Sequence, residues 1–155
     1  MVVAFTLMTA VAVAQQQLPV TLNARITVEV VPQVAKAGEP VKLKLAFKNV
    51  SCLPIQYLEV GGRDTDYEVA IFNADGSEVA YLPLKFPGDG LWHSKSSMVL
   101  WPSDESRETL EISRHFDLSR EGKYSVRGSR RVSMAEPCVV VSHLMTFVIG
   151  EPEIQ

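Results

Sequence analysis

From residue 25 onward apolar and polar residues alternate almost one for one, a period of two that predicts β-strands. Over 25–31, Ile26, Val28 and Val30 share one face, with Arg25, Thr27 and Glu29 opposite. Over 40–49, Val41, Leu43, Leu45 and Phe47 alternate with Lys42, Lys44 and Lys48. That pattern gives a strand with one face in a core and one in water. Ala37-Gly38-Glu39-Pro40 before it reads as a turn, and Pro40 suits a strand start. A weaker strand is predicted over 53–60. Tyr67, Val69 and Ile71 then alternate with Glu68 and Ala70. Asn73-Ala74-Asp75-Gly76 predicts a tight hairpin turn, because Asp-Gly supplies the positive φ it requires, with a return strand over 78–82. The stretch 84–106 is the least regular, rich in Pro, Gly and Ser, and holds a short predicted strand at 98–101. Alternation resumes over 109–116 through Leu110 and Ile112. Two further strands cover 122–132 and 139–149, the last with Met145, Phe147 and Ile149 inward. No segment of ten or more residues carries a helical period, and no internal repeat is present.

The strand at 122–132 contains a conflict. Parity turns Tyr124, Val126 and Gly128 inward and Arg127 outward, and continued parity would bury Arg130. An unpaired charge in a core is costly. A β-bulge near Gly128-Ser129, shifting the parity, is therefore expected.

Seven to nine short strands separated by turns predict a two-sheet sandwich. The run Asp117-Leu118-Ser119-Arg120-Glu121-Gly122-Lys123-Tyr124 resembles the corner that leads into strand F of immunoglobulin-like domains. In that corner the tyrosine hydroxyl bonds back to the backbone, so Tyr124 and Gly122 are read as a structural corner. Together with Ala37-Gly38-Glu39-Pro40-Val41 and Phe47-Lys48-Asn49-Val50-Ser51, it makes most of residues 25–149 similar to a broad group of exported bacterial immunoglobulin-like domains. The resemblance implies an all-β, immunoglobulin-like antiparallel β-sandwich; its motifs are structural and carry no chemistry. The chain departs from antibody-type domains at Val126, where they have a cysteine, so their inter-sheet disulfide is absent. The resemblance places Cys52 and Cys138 in two loops at one end of the sandwich, where a bridge between them is expected. It would close a loop of about 86 residues, worth about 4–5 kcal/mol in the chain-entropy account. The alternative is two unpaired thiols used as small hydrophobes.

The 155 residues point to one domain. With 46% hydrophobic and 21% charged residues the chain falls in the globular class. A net charge of −3 argues against a nucleic-acid partner. Met1–Ala14 is uncharged and almost wholly apolar, ends in Ala12-Val13-Ala14, and is followed by three glutamines. This is the pattern of a secretory signal peptide cleaved after Ala14, although no Lys or Arg precedes the apolar run. A buried N-terminal strand is the competing reading. The run is shorter than the ~20 residues that span a bilayer. The expected organisation is a signal peptide at 1–14, a linker at 15–24, the sandwich at 25–150 and a tail at 151–155. The expected product is a monomer without a stable membrane anchor, periplasmic or extracellular, where two cysteines fit an oxidising compartment.

Candidate chemistry is sparse. His93, His115 and His143 stand at no metal-ligand spacing, so no metal or cofactor is expected. No serine lies on a strained G-x-S-x-G turn, and no catalytic residue is assigned. Asp64 with Asp66, and Asp104 with Glu105, read as solvated turn carboxylates. A calcium site at Asp64, Asp66 or Asp89 lacks the ligand count. Lys42, Lys44 and Lys48, like Arg127 and Arg131, read as solvated strand faces. Trp92 and Trp101, with Asp89 and His93, are the candidate ligand-binding residues. The high average burial of tryptophan favours core caps beneath the long segment. Exposed indoles would instead stack on sugar rings or anchor a protein. The functional expectation is a non-catalytic exported binding or structural module with an unknown protein or glycan partner. The alternative is a proteinase inhibitor acting through the loops around Cys52, Gly88-Asp89-Gly90 and Cys138.

Overall fold

The computed structural model describes residues 23–60, 66–82, 95–132 and 138–150. The predicted signal peptide and the candidates Asp64, Asp89, Trp92 and His93 lie outside them. Among the described residues there are ten strands, one short 3-10 turn and no α-helix. The first sheet runs β1 (Ala24–Val31), β3 (Lys42–Asn49), β7 (Glu105–Glu111), all antiparallel. The second has the order β2 (Val34–Ala35), β10 (Met145–Ile149), β8 (Gly122–Val132), β5 (Glu68–Asn73), and β9 (Cys138–Val141) also pairs with β8. A ribbon of β4 (Ile55–Val60) and β6 (Lys95–Leu100) forms a third, two-stranded sheet.

Alternation decides which side chains meet between the layers. Ile26, Val28, Val30, Leu43, Leu45, Phe47 and Leu110 come from the first sheet. Ile71, Tyr124, Val126, Val132, Phe147 and Ile149 come from the second. The lysines of β3 face solvent, and Lys44 sits across the ladder from Glu29 with Nζ 3.4 Å from the carboxylate. Arg127 likewise faces out, its guanidinium 5.6 Å from the Phe72 ring centroid. The chain is an immunoglobulin-like β-sandwich, and its corner forms as the sequence predicts. The Tyr124 hydroxyl donates to the Arg120 carbonyl at 2.7 Å, and its ring stacks on Phe147 with centroids 5.5 Å apart. Gly122 opens β8 opposite Ile149.

The expected bulge in β8 is absent. Pairing with β5 runs unbroken from Asn73↔Tyr124 to Glu68↔Ser129, so parity carries Arg130 inward, where it is 1% exposed. The bulge lies across the ladder instead. Val141 faces Ser129 and Met145 faces Val126, so Ser142, His143 and Leu144 oppose only Gly128 and Arg127. The extra residue flips the parity of the last strand from Cys138 and Val140 inward to Met145, Phe147 and Ile149 inward. Ser142 holds the defect: its Oγ accepts the Gly128 N–H at 3.0 Å, and its own N–H donates to the Gly128 carbonyl at 2.8 Å.

Arg130 is tolerated because it is not alone. Its Nη1 lies 3.2 Å from Glu108 and its Nη2 3.4 Å from Asp66. The guanidinium carbon lies 4.4, 4.9 and 5.6 Å from the ring centroids of Tyr57, Tyr67 and Phe47. Two carboxylates and three ring faces replace the water that the cation gave up. These partners belong to β3, β4, β7 and the segment entering β5, so one side chain joins all three sheets.

Two other elements differ from expectation. The return strand over 78–82 reduces to isolated bridges, Phe72↔Glu78 and Tyr81↔Phe116, because Leu82 N–H turns away to the His115 carbonyl. The strand predicted over 109–116 begins earlier, at Glu105, and ends at Glu111. There Ser113 Oγ takes the Val41 N–H and the chain coils into the 3-10 turn Ile112–Arg114. The hairpin turn itself forms as predicted. Gly76 has φ +86° and donates to the Asn73 carbonyl at 2.9 Å. Asp75 accepts from the Ser77 N–H and hydroxyl, which lowers its pKa.

Two predictions follow from this core. Gly128 faces Leu45 so closely that a Cβ would sit 2.8 Å from its Cδ2. Gly128→Ala is expected to destabilise the fold by about 1–3 kcal/mol in chemical denaturation. Burial pushes the Tyr67 phenol up to about 12, although the neighbouring Arg130 pulls the other way. A group raised above its unfolded value of 10.0 stabilises fully below that pH and loses the contribution as pH rises toward 12. Stability should therefore fall over that window, and Tyr67→Phe should remove that part of the slope in urea midpoints measured from pH 9 to 12.

Candidate functional site

Strand β3 ends at Asn49, whose side chain is fully buried and uses both of its ends. Nδ2 donates to the carbonyls of Leu53 at 2.8 Å and Leu100 at 2.9 Å. Oδ1 accepts the Ser51 N–H at 2.9 Å and its hydroxyl at 2.7 Å. The backbone continues the stitching: Asn49 N–H donates to the Asp104 carbonyl, and Ser103 N–H to the Asn49 carbonyl, each at 3.0 Å. One asparagine thus binds the loop after β3 to the turn between β6 and β7. An Asx-type bond to a residue two positions on is what Asn does locally. Here the other end of the same amide reaches across 51 residues to Leu100.

The two loops present apolar side chains to solvent. Val50 and Leu53 are exposed on the first, and Trp101, 60% exposed, on the second. The turn Trp101-Pro102-Ser103-Asp104 closes with Asp104 N–H on the Trp101 carbonyl at 3.0 Å. Ser103, at its third position, has φ +72° and is the one non-glycine residue with positive φ among the described residues. A turn with proline second and a left-handed residue third favours glycine at that third place. A serine there stores backbone strain that the Asn49 contact holds in place.

Trp101 therefore does not cap the core, contrary to expectation. It follows the last residue of β6 instead of ending the strand, and the inward position falls to Leu100. The expected disulfide is not formed either: Cys52 and Cys138 are both free. Cys52 is exposed in the loop that Asn49 pins, whereas Cys138 is committed to the β8–β9 ladder opposite Val132. The loop that Asn49 pins and the β8–β9 ladder thus hold the two thiols unpaired.

The histidines separate. His115 is buried beneath Tyr81, ring centroids 5.8 Å apart and nearly parallel, with its Nδ1 3.4 Å from the Tyr81 hydroxyl. His143 lies exposed in the bulge between β9 and β10. Among the described residues no three His, Cys, Asp or Glu side chains gather where a metal ion could sit. Asp66 points to Arg130 instead of solvent. Asp104 and Glu105 stay on the surface, Glu105 bonded to Arg107. Ser103 and Leu53 carry no mark in the sequence, and Asn49 and Val50 stand out there only as part of the fold motif Phe47-Lys48-Asn49-Val50-Ser51. The spacing Asn49-Val50-Ser51 at a strand end is the signal that points to Asn49.

No family model matches the chain, and no curated protein matches it. Among solved structures the chain is similar to the CARDB domain of a Pyrococcus furiosus protein, crystallised in complex with di-metal ions. The two are 13% identical, the match covers 83% of this chain and 86% of that one, and the TM-score is 0.42. A likeness of that size assigns no site here.

The brace predicts two opposite effects. Asn49→Ala removes the side-chain partner of the Leu100 carbonyl and of the Ser51 N–H and leaves the Leu53 carbonyl to the Ser51 hydroxyl alone, and should cost about 2–3 kcal/mol. Ser103→Gly relieves the left-handed strain and should stabilise by up to about 1 kcal/mol. Thermal melts of the two variants beside the unchanged protein measure both.

Proposed function

We propose that this chain is an exported, non-catalytic binding module whose partner docks on the two-loop tip carrying Val50, Leu53 and Trp101. The observation that supports this reading most is the exposed indole of Trp101 on a strained turn that a buried asparagine locks in place. A side chain that large is seldom left in water, and a rigid aromatic on a fixed loop binds with little ordering cost. Export rests on the apolar Met1–Ala14 run and its Ala12-Val13-Ala14 ending.

The same rigidity gives the inhibitor alternative its support. A braced, exposed loop such as 50–54 has the form that blocks a protease cleft. Loss of less than a tenth of protease activity at micromolar protein, across cysteine and serine proteases, removes that alternative.

Two measurements test the main reading. N-terminal sequencing of the protein recovered from periplasm or medium should begin at Gln15; a chain that retains Met1 contradicts export. In co-sedimentation with the insoluble envelope of its own cells, Trp101→Ala should reduce retention at least tenfold while leaving the melting temperature unchanged. Equal retention contradicts the assignment of the tip.

A further inference from the structure

We infer that the ligand of this tip is a carbohydrate, with the Trp101 indole lying against the C–H face of a pyranose ring. The inference rests on the binding-module reading above and adds the chemical class.

The first argument is size. A single aromatic contributes ~150–250 Å² when covered, and on the two braced loops it stands with Val50 and Leu53, each about half exposed, with Val99 exposed two residues earlier on β6. Among the described residues these side chains together offer a few hundred Å², against the ~800 Å² that each partner gives to a stable protein complex. That area matches one or two sugar rings.

The second argument is the chemistry around the indole. A pyranose presents an apolar face of axial C–H bonds and an equatorial rim of hydroxyls, so its site needs a flat apolar surface bordered by hydrogen-bonding groups. The turn that carries Trp101 also carries Ser103 and Asp104, both exposed. Their backbone groups hold the turn together, while their side-chain oxygens make no hydrogen bond with another described residue. The turn that carries the indole thus also carries a hydroxyl and a carboxylate that are exposed to a ligand. A hydrophobic protein anchor would be rimmed to exclude water; this turn is wet and acceptor-rich, as sugar hydroxyls require.

The third argument is rigidity. Sugars give little apolar area, so their sites cannot spend much free energy on ordering loops. The Asn49 brace fixes both loops before any ligand arrives.

The test extends the envelope co-sedimentation with three treatments of the sedimented material: none, periodate, which cleaves the vicinal diols of sugars, and exhaustive proteolysis. The exported full chain is compared with Trp101→Ala and Trp101→Tyr, each first shown to melt as the unchanged protein does. Retention is expected to survive proteolysis, to fall at least tenfold after periodate, to fall at least tenfold in Trp101→Ala, and to recover at least threefold in Trp101→Tyr. Retention that is lost on proteolysis and untouched by periodate, yet still depends on Trp101, overturns the carbohydrate and leaves the binding module standing with a protein partner. Retention that ignores Trp101 under every treatment, or no retention of the unchanged protein, overturns both.

Discussion

A guanidinium inside a β-sandwich has to be neutralised and stacked, or the strand that carries it cannot stay in register. Arg130 meets that demand with Asp66 and Glu108 at its two terminal nitrogens and with Tyr57, Tyr67 and Phe47 around its plane. The carboxylates keep some contact with water, their side chains 13% and 24% exposed, while the cation keeps almost none. Two like charges beside one cation are tolerable in that geometry, because solvent still screens the anions. The result is a polar lock in a mostly apolar interior, and all three described sheets contribute to it.

From this lock the rest of the packing follows along β8. Two residues before Arg130, Gly128 has no side chain and lets Leu45 approach. Opposite it, the facing strand takes one residue too many and folds the excess around Ser142. Further along, Val126 and Tyr124 return to ordinary core packing, and the Tyr124 hydroxyl closes the far end on Arg120. At the near end Phe47 lies against the guanidinium, and two residues on Asn49 is buried and ties the two loops of the tip. The same strand, β3, thus supplies one wall of the Arg130 site and the brace of the candidate binding tip. Disturbing one should be felt at the other.

Much of this was legible in the sequence. The alternation in β1 and β3 gave their inward residues directly, and the Gly122–Tyr124 corner could be read from the eight residues Asp117–Tyr124. These features depend on neighbours in the chain. Arg130 was misjudged because its partners lie 22 and 64 residues away, and parity alone shows a buried charge without showing what surrounds it. The inference that parity must shift somewhere nearby was sound, but the shift fell on the opposite strand, which can absorb an extra residue without moving the arginine. Trp101 was expected inside because tryptophan usually is. One residue of register, with Leu100 taking the inward place, turned it to solvent. The return strand over 78–82 had good local propensity and lost to the His115 carbonyl, a competitor invisible from the segment itself.

The central claim, that Arg130 stabilises the sandwich through its carboxylate and aromatic partners, is tested most directly by a double-mutant cycle in urea at pH 7. The cycle compares Arg130→Met, Glu108→Gln and the two combined. Arg130→Met alone should cost about 3–5 kcal/mol, and the combined variant should be at least ~1 kcal/mol more stable than the sum of the single losses allows. A cost under about 1 kcal/mol for Arg130→Met, with strictly additive losses, would contradict the account.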